Sequence, residues 1–395
     1  MVGHVQRSSA SIAVFFAVLT LVVGGVHYYL WSRLVRAPNL GAPWAHRGTI
    51  LFIALAALTP LGIGAGRLLD RSVSRVLASV AFGWLGVAVL LLFLLLGSEI
   101  VRGAIHGVST LAARPFDPER RALLSRGIAG TVSLVALGLA GVGTASALGE
   151  VAFRKVAVSL RRLPRALSGF RIAQLSDVHI GPTLGAEWLA GVVARVNSLD
   201  ADLVVITGDL VDGSVADLRE QVASLAGLKS RHGVYFVTGN HEYYSGADEW
   251  IAELARLGIR TLRNERVTIG EGDDSFDLAG VDDLSAHRHG GDHGADLARA
   301  VAGRDERREL VLLAHQPKQI HEAAQHGVGL QLSGHTHGGQ IFPWGLFVRL
   351  DQPYVAGLAQ HGPTQIYVSC GTGFWGPPMR VAAPAEISVI ELLAG

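Results

Sequence analysis

Leu203-Val204-Val205-Ile206-Thr207-Gly208-Asp209 is an apolar run that stops on a glycine and a carboxylate. Val328-Gly329-Leu330-Gln331-Leu332-Ser333-Gly334-His335-Thr336-His337 repeats the plan with two imidazoles. Short apolar runs bounded by turn residues describe strands buried on both faces. Three more follow the same design: Arg171 to Leu175 runs into Ser176-Asp177-Val178-His179, Val234 to Val237 into Thr238-Gly239-Asn240-His241-Glu242, and Glu309 to Leu313 into Ala314-His315-Gln316-Pro317. Helical patterns at Ala186 to Ser198, Ser214 to Leu228, Ala247 to Leu257 and Gln316 to Gln325 fall between them. Ahead of these, Val156, Val158 and Leu160 alternate with smaller or polar residues as a further strand that Pro164 closes. Strand and helix in alternation mean a layered α/β domain, expected over residues 151–395.

The first 150 residues have a different texture. Four runs without Asp, Glu, Lys or Arg, at about 11–31, 49–66, 76–98 and 127–149, are each long enough as helices to reach roughly 27 to 35 Å, close to the hydrocarbon thickness of a bilayer. They predict four transmembrane helices, with Pro60 kinking the second and Tyr28, Tyr29 and Trp31 at a membrane rim. His27 is the one ionisable group inside a run and is read as an interfacial histidine. The composition agrees: 49% of residues are hydrophobic and 17% charged. Lys+Arg 34 against Asp+Glu 33 leaves no global field to recruit nucleic acid, and no basic stripe with interleaved aromatics appears. A single cysteine, Cys370, excludes intrachain disulfides and Cys-rich metal sites.

Ligands in open α/β sheets bind outside the carboxyl ends of strands. Five such ends bring seven metal-ligand candidates toward one crevice: Asp177, His179, Asp209, Asn240, His315, His335 and His337. Two divalent cations can be held by that set. A carboxylate can bridge two metals whereas a neutral imidazole binds one, so Asp209 on the middle strand is the natural bridge. Nitrogen and oxygen donors without thiolate suit Mn, Fe, Zn or Co. Each block alone is an ordinary turn or helix cap. The ordered combination is what carries weight.

In order from Asp177 to His337, the blocks D-x-H, G-D, G-N-H-[ED], a lone His and G-H-T-H resemble the calcineurin-like metallophosphoesterase superfamily across residues 151–395. Leu175 to Gly181, Gly334 to Gln340 and Gly371 to Arg380 are similar to its membrane-associated phosphodiesterase branch of YaeI- and YkuE-like proteins. The resemblance implies a four-layer sandwich of two mixed β-sheets flanked by helices. It also implies one metal on Asp177, His179, Asp209 and His337, and a second on Asp209, Asn240, His315 and His335, with manganese in both. His241, beside Asn240 but outside the ligand set, is assigned by the resemblance to protonate the leaving group. Ser333 stands where many members have Cys. Asp282 to Asp296 is unusually rich in His, Gly and Asp; its His287, His289 and His293 are read as a solvated loop rather than a further ion site.

A water between two cations loses its proton more readily than bulk water and attacks phosphorus in line, so the expected enzyme is a membrane-anchored metal-dependent phosphodiesterase using a metal-activated hydroxide. Its substrate is expected to be a lipid-linked or envelope phosphate ester, with the bilayer as partner and neither nucleic acid nor a protein partner inferred. Alternatives are a phosphomonoesterase or phosphoprotein phosphatase, a non-hydrolytic phosphate or nucleotide sensor, and a transporter, which the uncharged spans disfavour. Arg380 is a candidate phosphate clamp, Glu242 either orients His241 or caps a helix, and Trp344, Phe347, Phe374 and Trp375 are core residues or an apolar lip. Sidedness rests on charge. Arg33, Arg36, Arg47, Arg102, Arg114, Arg120, Arg121 and Arg126 flank one side of the spans, against Arg7, Arg67, Arg71 and Arg75 on the other, so the catalytic domain is expected to be extracytoplasmic.

Overall fold

The computed structural model describes residues 9–64, 71–111 and 117–395. The chain forms two compact units: one reaches to Ala145 and takes in Gly376–Val381, the other comprises Ser146–Trp375 and Ala382–Gly395.

The first unit is helical, with α1 Ser9–Trp31, α2 Ala42–Gly64, α3 Arg71–Leu111 and α4 Pro118–Leu148. Among the described residues three stretches are long and apolar enough to cross a membrane: Ala42–Gly62, Val73–Ser109 and Glu119–Leu148. That gives three candidate spans where four were expected, although the first apolar run is also helical. The observed helices outrun the apolar segments that predicted them. At 41 residues α3 is about 60 Å long, twice the hydrocarbon thickness, because its polar ends, with Arg75, Glu99 and Arg102, carry on the helical hydrogen bonding. Arg7, Arg67 and Arg114 of the charge count lie outside the described residues. α2 continues through Pro60 to Gly64. α1 passes into a π-helical turn, Ser32–Arg36. His27 is buried among the helices: its Nδ1 lies 2.8 Å from the Val23 carbonyl, and Trp84 Nε1–H donates to its Nε2 at 2.8 Å. Both ring nitrogens are satisfied, as a neutral imidazole packed between helices requires.

The second unit is two mixed six-stranded sheets. The strands are β1 Ala152–Leu160, β2 Phe170–Leu175, β3 Leu203–Thr207, β4 Val234–Val237, β5 Arg260–Thr261, β6 Glu265–Glu271, β7 Asp274–Gly280, β8 Leu310–Leu313, β9 Leu330–Ser333, β10 Gly357–His361, β11 Thr364–Val368 and β12 Glu386–Ala394. One sheet has the order β1-β12-β2-β3-β4-β5 and the other β10-β11-β9-β8-β7-β6. Within the first, β2, β3, β4 and β5 are parallel, and β12 lies antiparallel to β2 but parallel to β1.

Strand periodicity sorts the core into layers. Ile172, Leu203, Val205 and Val237 point into a shared core with Phe276, Leu278, Val311, Leu313 and Leu332 of the facing sheet. Ala173, Leu175, Val204, Ile206 and Phe236 point the opposite way, onto Leu189, Val192 and Val196 of α5 Ala186–Asn197, onto Leu218 and Val222 of α6 Val215–Val222, and onto Trp250 and Leu254 of the helix Ala247–Arg256. The outer face of the second sheet is covered through Leu310, Leu312, Ile320 and Ala323. This is the sandwich that the resemblance implied.

Two expected helices are shorter than their sequence patterns. Ser214 to Leu228 ends as α-helix at Val222 and finishes as a 3-10 turn, Ala223–Gly227. Gln316 to Gln325 is only a 3-10 turn, Pro317–Gln319, and one helical turn, Ile320–Ala323, because Gln316 before the proline is extended.

Candidate metal centre

Each expected ligand block occupies the turn after its strand: Asp177 and His179 after β2, Asp209 after β3, Asn240 after β4, His315 after β8, and His335 and His337 after β9. The turns are sharp. Asp177, His179, Asp209, His335 and His337 all hold left-handed backbone, with φ between 51° and 71°. A non-glycine residue there costs about 1–2 kcal/mol, and five on the ligand positions mark stored strain that surrounding contacts must sustain. Glycines let the blocks close up: a Cβ on Gly334 would collide with Ser176 Oγ and the Asp177 carboxylate, and one on Gly239 with Asp209.

Three groups of donors result among the described residues. Asp177, His179 and His337 form one, Asp209, His315 and His335 a second, and His179, Asp212 and His241 a third, the donor atoms within each lying inside 4.8 Å of one another. His179 Nε2 is 3.1 Å from His337 Nε2, and His337 Nε2 is 3.5 Å from Asp177 Oδ1. His335 Nδ1 is 3.2 Å from His315 Nε2, which lies 3.2 Å from Asp209 Oδ2. The same Asp209 oxygen stands 3.8 Å from His179 Nε2. Two bare imidazole nitrogens facing each other near 3 Å make a poor hydrogen bond unless one is protonated, yet both can point lone pairs at a cation. Asn240 Oδ1 is buried without a hydrogen-bond partner, the expected state of a ligand oxygen. His315 Nδ1 lies 2.8 Å from the Thr207 carbonyl, a partner that fixes a proton there and aims Nε2 at Asp209 and His335. These donors fit metal ions.

Asp212 was missed by the sequence reading. Its Oδ1 accepts from Nδ1 of His241 at 2.6 Å and of His179 at 3.0 Å, turning both Nε2 atoms toward the centre. The available signal was Gly208-Asp209-Leu210-Val211-Asp212-Gly213: the Ile180–Val211 bridge carries the chain onward beside the Asp177 turn. Glu242, by contrast, does not orient His241. Its carboxylate accepts from the backbone N–H groups of Asp209, Leu210 and Gly239, at 3.0, 2.8 and 2.7 Å, tying the β3 and β4 turns together. Ser333 Oγ donates to the Ala314 carbonyl at 2.6 Å, locking the β8 and β9 ends.

The electrostatics follow from burial and pairing. Burial opposes ionisation of Asp209, but the charges of His315 and His241 outweigh it and hold the carboxyl well below its usual range. Asp212 is likewise buried, and His179 and His241 bring it down to about 2. Burial disfavours charge on His241, yet Asp209 and the Asp212 hydrogen bond raise it to about 9. Burial and the Asp209 charge push Glu242 up to about 7, against the hydrogen bonds from Gly239 and Leu210.

The remaining expectations separate. Arg380 is 2% exposed and lies within Gly376–Val381, in the helical unit, where its backbone N–H donates to the Gly143 carbonyl at 2.9 Å. Phe374 is core, whereas Trp344, Phe347 and Trp375 are about half exposed. Trp375 and Tyr244 set their rings 5.6 and 5.4 Å from that of His241. The histidines of the 282–296 loop diverge: His293 meets Arg263 at 2.7 Å, His287 Nδ1 meets the Leu284 carbonyl at 2.8 Å, and His289 packs on Tyr243 and Tyr244. They form none of the three donor groups.

Comparison with known proteins agrees with this geometry. The family model described as "Calcineurin-like phosphoesterase" matches residues 170–339. A "Transmembrane protein with metallophosphoesterase domain" of Danio rerio is 36% identical over 92% of this chain and 85% of its own length. The protein of the same description from Bos taurus is 40% identical over 80% of this chain and 73% of its own length. "Uncharacterized metallophosphoesterase YkuE" of Bacillus subtilis is 32% identical over 58% and 81%. With an Asp/His/Asn centre at the strand ends of a two-sheet sandwich and relatives that align along most of their length, the chain belongs to the calcineurin-like metallophosphoesterases, which are metal-dependent phosphoester hydrolases.

Proposed function

We propose that the chain is a membrane-anchored phosphodiesterase with two metal ions, acting on a lipid-linked or envelope phosphate ester. The observation that carries the reading is Asp209 Oδ2, a single oxygen 3.2 Å from His315 Nε2 and 3.8 Å from His179 Nε2, between two donor groups. One ion would be held by Asp177, His179, Asp209 and His337, and the other by Asp209, Asn240, His315 and His335, with manganese as the proposed metal. When bound, the pair acidifies the attacking water and offsets charge on the phosphoryl oxygens. The side chains do the rest. Asp212 holds the His241 proton on Nδ1, and a protonated His241 presents Nε2–H to the departing oxygen. Tyr244 and Trp375 wall that imidazole, and half-exposed Trp344, Phe347 and Trp375 offer apolar surface suited to a lipid tail.

Metal-loaded full-length protein is expected to hydrolyse bis(p-nitrophenyl) phosphate faster than p-nitrophenyl phosphate. Asp209→Ala should lose both ions and activity together, and two tightly held ions in elemental analysis of that variant would remove Asp209 from the bridging role. The catalytic unit is proposed to be extracytoplasmic, on the basis of the arginine distribution around the spans. Protease added to intact spheroplasts should digest residues beyond 150, and protection until lysis would reverse the topology.

A further inference from the structure

The helical unit carries a cavity of about 850 Å³ walled by the π-turn of α1, the end of α3 and the start of α4. Arg33, Arg36, Arg102 and Arg121 line it, and Glu99 is its one carboxylate among the described residues. Glu99 is already engaged: Arg33 Nε lies 2.9 Å from it, and Tyr29 Oη–H donates to it at 3.2 Å. Two nitrogens of Arg102, Nε and Nη2, are buried without a hydrogen-bond partner. A buried guanidinium edge with no acceptor is costly, and the cavity's other arginines add to the positive field instead of relieving it. An oxyanion answers both, since the guanidinium fork matches two oxygens of a phosphate. A second cavity, about 830 Å³, adjoins the first through shared Leu124. Its walls are largely apolar, with Val101, Ile105, Leu123, Ile128 and Val132. A charged chamber against an apolar one, at one end of helices long enough to span a bilayer, fits an amphiphile rather than a free ion.

We propose that this end of the helical unit binds an anionic phospholipid, with the phosphate in the arginine cavity and an acyl chain in the adjoining cleft. The site lies wholly outside the metal centre and does not depend on the hydrolase reading. Near an anionic leaflet each arginine adds about a fivefold attraction.

Native mass spectrometry of the full chain, with dioleoylphosphatidylglycerol and dioleoylphosphatidylcholine in competition, tests this. Wild type is expected to retain phosphatidylglycerol at least tenfold over phosphatidylcholine, undisturbed by millimolar inorganic phosphate. Arg102→Gln with Arg121→Gln should cut the preference roughly 10- to 30-fold, and Leu124→Trp should weaken retention with every charge in place. Unchanged melting and unchanged hydrolysis of a soluble diester establish that the variants fold. Equal retention of the two lipids by wild type would overturn the proposal whatever the variants do. So would displacement of the lipid by inorganic phosphate, which would make this a free-phosphate site, or full preference in the folded double variant.

Discussion

Asp212 illustrates how much chemistry one side chain can control without being a metal-ligand candidate by motif. It fixes the proton on Nδ1 of His241 and, with Asp209, holds that imidazole protonated up to about pH 9. A general acid works only while protonated, so activity falls as pH rises through its pKa. Asp212→Asn removes one of the three carboxylate charges that raise His241, and the alkaline limb of the pH–rate profile should move to lower pH. Turnover should drop roughly 10- to 100-fold, the usual cost of losing such an orienting partner, with metal content retained. An unmoved limb would mean that His241 is not the acid. Loss of the ions instead would show that Asp212 acts chiefly through His179, which it also holds at 3.0 Å.

At the scale of elements, the final strand matters more than its position at the end of the chain suggests. β12 lies between β1 and β2, with Ile387, Ile390 and Leu392 fully buried. Each such residue is worth about 2–5 kcal/mol in a large-to-small change, so their sum approaches the whole ~5–15 kcal/mol of a typical domain. Deleting 386–395 should leave the α/β unit unfolded, as judged by loss of a cooperative melt. The strand also anchors the end of β11 and the loop that follows it. Its Glu386 accepts from Tyr367 and Ser388 at 2.5 and 2.8 Å, and Thr372 Oγ1–H donates to its carbonyl at 3.0 Å.

Across the whole molecule, all seven ligand candidates, with Asp212 and His241, belong to one compact unit. A fragment beginning at Ser146, which retains the core residues Ala147 and Val151, should fold, take up metal and cleave small diesters. It should also be cut within 376–381, because Met379 and Arg380 are buried in the intact chain and their segment belongs to the helical unit. Limited proteolysis followed by mass mapping reads both outcomes. A folded, metal-loaded fragment without activity would mean that the helices help to build the site.

The strands that carry ligands were legible because each is short, apolar and stopped by a polar turn, a local pattern that burial on both faces imposes. The candidate ligand positions were legible for the same reason, since each block is contiguous in sequence. The hairpin of β6 and β7, closed by Gly272-Asp273, was not, because its faces mix charged and buried residues with no clear alternation. The place of β12 was also hidden: register between strands more than 200 residues apart is set by packing, not by local preference. Sequence alone determined which residues end the ligand-bearing strands, and of the four apolar runs it marked for a bilayer three are candidate spans among the described residues. Tertiary structure decided that Asp212 reaches two histidines, that Glu242 binds backbone rather than His241, and that four arginines from three helical segments surround one cavity. Each of those outcomes depends on distances between turns far apart in the chain, and only the closed fold sets them.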